Sequence, residues 1–339
     1  MNTYAKNKHP KLLRILNFVE ECLSIEGLPF IFETTQDKAR YIHVNTLADE
    51  WKNMRSYVQA YSDSFFFHPA VQLFFDAADS VGWLKHPPMS IKDEDFEPRL
   101  HMLTFNALVK FIQDTGKSSA YRERIRKLAN DRKRQFDRAK ALLNRLFECH
   151  ARLLVLRVDF GMGFKQDSRH VVRDFSRLQR LWKSKPAFEA IVGYVAKMEY
   201  TPKKGYHLHA MILMDGSQVR KDVHLARQLG EMWKQLTDDQ GVYYNCNDNE
   251  YHQSGIGMVS HHDVVKRATL ENTVLSYFFK DEQQVLVKKN KKDRTLFLSQ
   301  KPALPSHLGR PRSKFVEPVD SEFGAVSEPE VLPCEGMIL

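Results

Sequence analysis

Two histidines, a glutamate and a tyrosine carry the residue types and spacings that suggest chemistry in this chain. His207 and His209 stand one residue apart in the run AKMEYTPKKGYHLHAMILM. On a β-strand alternate side chains share a face, so the two imidazoles point the same way while Leu208 turns into the core. If 201–205 closes a hairpin, Glu199 stands opposite His207, with Cβ atoms about 5 Å apart. Two imidazoles and a carboxylate on one face suit a divalent cation that keeps positions open for water or substrate. A bulge in the hairpin would turn Glu199 to the wrong face. Further along, Tyr277 and Lys280 lie three apart in LSYFFKDE, on one face if the segment is helical. Tyrosine can serve as a covalent nucleophile, and a neighbouring cation favours its phenolate or the charge that develops on phosphate. Alone, His-x-His more often marks hydrogen-bonded histidines, and Tyr-x-x-Lys an ordinary surface pair. Their succession within one stretch of chain gives them meaning.

The elements that must position these residues follow from periodicity. A β-rich run at 153–160 (LLVLRVDF) is followed by helical spacing at 170–183. Two β-rich runs, 190–200 and 206–214, flank Thr-Pro-Lys-Lys-Gly, a hairpin signal in which Gly205 can take a positive φ. A helix is predicted at 223–236, strands at 242–245 and 255–260, and a helix at 270–282. The order β-α-β-β-α-β predicts an α+β domain over 151–301: a ferredoxin-like (RRM-like) antiparallel sheet with helices on one face. Ahead of it, 1–150 reads as a mainly helical domain. Its helices are predicted at 11–26 (closed by Gly27), 70–83 and 119–150. Residues 302–339 carry six prolines and an acidic cluster and read as a mobile tail.

Composition narrows the class. The chain has 339 residues and a formal net charge of +9. No Lys or Arg follows Lys314, whereas Glu317, Asp320, Glu322, Glu328, Glu330 and Glu335 do, so the body up to 314 carries +15. A basic body favours a polyanionic partner, of which nucleic acid is the commonest. The stretch 120–140 holds nine Lys/Arg against three acids. It is either a solvated helix face or a contact to a DNA backbone through Arg132, Lys133 and Arg134. The run Tyr243-Tyr244-Asn245-Cys246-Asn247 either stacks on bases, with Tyr244 as the candidate, or supplies core tyrosines and a turn. Gly255 and Gly257 allow close backbone approach or mark a bulge. His261 and His262 fit a turn beside the sheet better than extra ligands. No apolar run approaches eighteen residues and no signal peptide is evident, so no membrane partner is expected. The four cysteines are scattered, which fits a reducing cytoplasm.

His-hydrophobe-His followed by Tyr-x-x-Lys resembles the signature of the HUH endonucleases, the rolling-circle replication initiators and relaxases. The blocks LLVLRVDF, GYVAKMEYTPKKGYHLHAMILMDG, LGEMWKQLTDDQGVYYNCN, SGIGMVSHHD and LSYFFKDEQ resemble the inovirus (filamentous-phage) replication-protein family, also called the YagK/YfjJ C-terminal domain family. The similarity spans about 150–301; residues 1–150 show no family resemblance that can be named. The resemblance implies an endonuclease of phage or prophage DNA replication, acting in the cytoplasm of a bacterial host. Its partners would be single-stranded DNA at a replication origin and host replication machinery (helicase, polymerase). It implies His207, His209 and Glu199 as ligands of Mg²⁺ or Mn²⁺, Tyr277 as nucleophile and Lys280 as its companion. The loop lysines Lys203 and Lys204 join the candidate DNA contacts. The sequence departs from two-tyrosine patterns, since Phe278 and Phe279 follow Tyr277. Asp159 is open to a metal-site or a structural role. Three rivals have different signatures. A non-cutting DNA-binding adaptor would not need the intact set. A primase-like polymerase would need a paired-carboxylate strand motif such as Asp-x-Asp, which is not found. A zinc hydrolase would attack through water and leave Tyr277 without a role.

Overall fold

The structure is a computed structural model that describes residues 8–34, 39–63, 65–90, 92–162, 167–201, 205–249, 254–279 and 294–303. The chain divides into two compact units, with the boundary inside one long helix between Lys133 and Arg134. The first takes in 8–133 with 200–201, and the second takes in 134–199, 205–279 and 294–303, among the described residues. The sequence had suggested a division at 150. Residues Ala139, Leu142, Leu143, Leu146 and Phe147 are buried in the core of the second unit, which is why the boundary lies earlier.

The first unit is built on α1 (Lys8–Ser24), α2 (Met54–Val58), α3 (Pro69–Ser80) and α4 (Pro98–Gly116), with the start of α5 (Ser119–Cys149). Ile15, Phe18 and Val19 of α1, Phe74 and Phe75 of α3 and Phe105 of α4 are fully buried together, the i, i+3, i+4 stripe of packed helices. A two-stranded antiparallel sheet, β1 (Phe30–Thr34) and β2 (Ala39–His43), is the non-helical part. The buried Asn106 side chain clasps both backbone groups of Phe30, accepting from its N–H and donating to its carbonyl. No helix of the described residues is long and apolar enough to cross a membrane.

The second unit is α+β. Its strands are β3 (Arg152–Met162), β4 (Ile191–Thr201), β5 (Gly205–Asp215), β6 (Gly241–Asn245), β7 (Gly257–Ser260) and β8 (Leu296–Leu298), with helices α6 (Ser168–Lys183) and α7 (Asp222–Leu236). The sheet order is β6-β3-β5-β4-β8, with β7 paired to β3 on the same side as β6. β3 is antiparallel to β5, β6 and β7, and β4 to β8. β7 covers residues 152–155 of β3 and β6 covers 158–162. The gap between them is bridged by the buried side chain of Asn247. Its Oδ1 accepts from the Arg157 N–H at 2.7 Å and its Nδ2 donates to the Val155 carbonyl at 3.0 Å. One side chain thus does the work of a strand residue, because buried backbone groups need partners.

Helices lie on both faces of the sheet, not on one as the sequence suggested. On one face Phe160 of β3 packs on Phe175 of α6 and Trp233 of α7, whose Nε1 donates to the Gly161 carbonyl. On the other, Leu153, Val155, Met211 and Leu213 share a core with α5 and with the helical segment that follows β7. That segment is α8 (Val264–Thr269) continuing into a π-helical stretch at Leu270–Leu275. It begins earlier than predicted, and its described part passes into a turn at Phe278. Gly255 lets it approach closely, since a Cβ there would stand 2.7 Å from the Leu270 nitrogen.

Candidate metal centre

The second face of the sheet is divided along its strands. Toward one end it presents Leu153, Val155, Leu213 and Val195, all buried under α5. Toward the other, alternation continues with Arg157 and Asp159 on β3, His209 and His207 on β5, and Lys197 and Glu199 on β4. The β3–β5 register sets Asp159 opposite His209 and Gly161 opposite His207. β4 ends at Thr201 and β5 begins at Gly205, whose φ of +70° lies in the left-handed region that favours glycine.

Glu199, His207 and His209 are buried, and one ligand atom from each lies within 4.8 Å of the others. Nε2 of His209 is 3.1 Å and Nε2 of His207 is 3.4 Å from Glu199 Oε2. The other ring nitrogens face acceptors. His207 Nδ1 is 3.3 Å from the Gly205 carbonyl, and His209 Nδ1 is 2.8 Å from Asp159 Oδ1, an ion-pair distance without the alignment of a straight hydrogen bond. Acceptors beside Nδ1 favour a ring hydrogen there, so that once His209 gives up its second proton both Nε2 atoms would offer lone pairs beside Glu199 Oε2, the second-layer arrangement that orients metal-bound histidines. Glu199 Oε1 is buried without a hydrogen-bond partner, an oxygen that a cation would satisfy. The donor set therefore fits a metal ion.

The electrostatics agree. Burial alone would raise the Glu199 carboxyl, but His209 and His207 beside it hold it down at about 2. Asp159 is likewise held well below the usual carboxylate range, because His209 and Arg157 outweigh its burial. Burial would lower His209, yet the two carboxylates push it up to about 10. Without metal, the imidazolium proton occupies the place a cation would take. Burying so many charges is unfavourable compared with an apolar lining, so stability does not explain them.

Tyr277 stands beside this group. Its ring lies 5.6 Å from that of His209 at 87°, and Phe278 stacks on His209 at 6.2 Å. The structure thus brings together Glu199, His207, His209 and Tyr277. Lys280, Lys203 and Lys204 lie outside the described residues. Tyr244 faces the same side of the sheet as Asp159, its cross-strand partner, and its hydroxyl accepts from Asn249 Nδ2. Tyr243 turns to the opposite face and donates to Glu231. Arg132, Lys133 and Arg134 lie on α5, the first two in the first unit and Arg134 in the second. His261 and His262 form a turn after β7. Arg157 was not foreseen from the sequence. The signal was present in LLVLRVDF, where Arg157 and Asp159 are the charged residues of an otherwise apolar strand and share a face. No protein-family model, curated protein or solved structure matches the chain.

Proposed function

We propose that the chain is an HUH-type endonuclease that nicks single-stranded origin DNA and stays joined to it through Tyr277. The observation that carries this reading is the Tyr277 ring set perpendicular to His209, within a buried trio able to hold a cation. The strand order β6-β3-β5-β4, with crossovers through α6 and α7, supports a ferredoxin-like sheet.

Glu199, His207 and His209 would hold the ion, Mg²⁺ or Mn²⁺. Histidine ligation favours manganese and cellular supply favours magnesium. When bound, the ion supplies charge neutralisation for a scissile phosphate. Asp159 and the Gly205 carbonyl keep the imidazoles oriented. The Tyr277 oxygen attacks phosphorus as the bond to the 3′-oxygen breaks. The phenol proton passes to solvent and the departing oxygen gains one, leaving a 5′-phosphotyrosyl link and a free 3′-OH. One phosphoester replaces another, so the reverse attack can rejoin strands. The 3′-OH can prime a host polymerase, with a helicase opening the duplex, in the cytoplasm of a bacterial host. One tyrosine in the segment suits transfers that need a single nucleophile.

The test is incubation with a labelled random-sequence single-strand pool and Mg²⁺ or Mn²⁺, followed by a denaturing gel. The wild type should form a covalent protein–DNA adduct. Tyr277→Phe removes one oxygen and keeps the ring, so it should abolish the adduct with the fold intact. His207→Ala should also stop cleavage, with partial recovery in excess Mn²⁺, which cannot restore the Phe variant. An adduct in Tyr277→Phe would move the nucleophile elsewhere. Cutting without an adduct would indicate water as nucleophile. Binding without cutting would make the chain a DNA-binding adaptor.

A further inference from the structure

Arg157 is a buried cation to which the reaction above gives no part. Its guanidinium carbon lies 4.5 Å from the centroid of the Tyr277 ring and 4.9 Å from that of Phe278. Its Nη2 is 3.6 Å from Asp159 Oδ1, the oxygen that stands 2.8 Å from His209 Nδ1. Its backbone N–H is fixed by Asn247. One planar group therefore links the tyrosine ring to the carboxylate behind a candidate metal ligand. The next aromatic is held in a similar way, with Lys197 of β4 5.2 Å from the Phe279 ring. Residues 277–279 follow a π-helical stretch, and the Phe279 ring also meets Phe136 of α5 edge-on at 5.6 Å.

We propose that Arg157 is a positioning residue that holds the Tyr277 ring in register with the Glu199–His207–His209 group. The role of Tyr277 as nucleophile rests on the function proposed above; the clamp itself rests on the geometry alone. The guanidinium carbon lies 4.5 and 4.9 Å from two ring centroids while Nη2 lies 3.6 Å from a carboxylate oxygen. Lysine keeps the charge but lacks the plane, so it cannot make all three contacts.

The full-length protein with ¹³C-labelled tyrosine tests this. The Tyr277 signal is the one lost in Tyr277→Phe, and its ring order is read by ¹³C relaxation. In Arg157→Lys the order of that ring should fall. Adduct formation at saturating DNA should slow on the order of tenfold or more, with DNA and Mn²⁺ affinities within about threefold of wild type, because misplacing a reacting group lowers turnover rather than binding. Unchanged ring order, or a wild-type adduct rate, would overturn the proposal. Loss of Mn²⁺ affinity with unchanged ring order would also overturn it, leaving Arg157 as a charge partner of Asp159. If the wild type forms no adduct, the nuclease reading fails, and ring order alone decides whether Arg157 holds Tyr277. If Arg157→Lys does not fold, Arg157→Gln replaces it, since glutamine keeps a planar end group but is too short to lie over the Tyr277 ring. A Tyr277 ring as ordered as in wild type would then overturn the clamp.

Discussion

At the scale of single residues, a metal ion at this site would compete with a proton. His209 lies between Asp159 and Glu199 and keeps a proton up to about pH 10 in the metal-free protein. A cation must displace it, so binding should release about one proton and the affinity for Mn²⁺ should rise with pH up to that value. Calorimetry in buffers of different ionisation enthalpy measures the proton release; affinity flat between pH 6 and about 9 would refute it. Stability of the metal-free protein follows with its own sign. The folded-state pKa of His209 is raised above about 6.5, so its contribution is complete below that and is lost as pH climbs through about 10. Glu199 is depressed from about 4.5 to about 2, so its contribution is present above about 4.5 and is lost as pH falls through about 2. The pH-dependent part of the cluster's contribution is therefore most favourable between about 4.5 and 6.5, and added Mn²⁺ should extend that window upward.

At the scale of elements, β3 organises the site, and Asn247 organises β3. Asn247→Ala removes the side-chain partners of the Arg157 N–H and the Val155 carbonyl. Leaving a buried polar group without its partner costs about 1–3 kcal/mol, so a loss of roughly 2–4 kcal/mol is expected in urea or thermal unfolding. A change under about 0.5 kcal/mol would mean that water replaces both bonds. β3, α6, α7 and the β4–β5 hairpin were legible because each is long enough for its apolar run or spacing to register. Asp167, for instance, caps α6 by accepting from the His170 N–H. β8 was not, because three residues carry too little period to register. The predicted helix at 270–282 was displaced toward the N-terminus, with α8 beginning at Val264 behind an Asp263 cap.

At the scale of the whole molecule, charge is the property that spans both units. The basic helix α5 runs from one into the other, and Arg132, Lys133 and Arg134 straddle the boundary. Replacing all three with alanine should weaken DNA binding and flatten its salt dependence by about 0.7 in log–log slope for each lost single-strand phosphate contact. Adduct formation at saturating DNA should persist. Fluorescence anisotropy across a salt series reads the slope, and an unchanged slope would assign these residues to a solvated face.

The sequence alone determined which residues share a face. The strand period is two, so His207 and His209 share a face, and a hairpin without a bulge brings Glu199 to them. It also determined the α+β character of the second unit and the extent of α5 to within a residue. It could not give the register of β3 against β5. Only the β3–β5 pairing places Asp159 behind His209, and only the path of 264–279 brings Tyr277 and Phe278 over Arg157. Periodicity is a local property of a segment. Contact between segments far apart in the chain depends on how their faces pack, and a pattern read along one strand does not contain that.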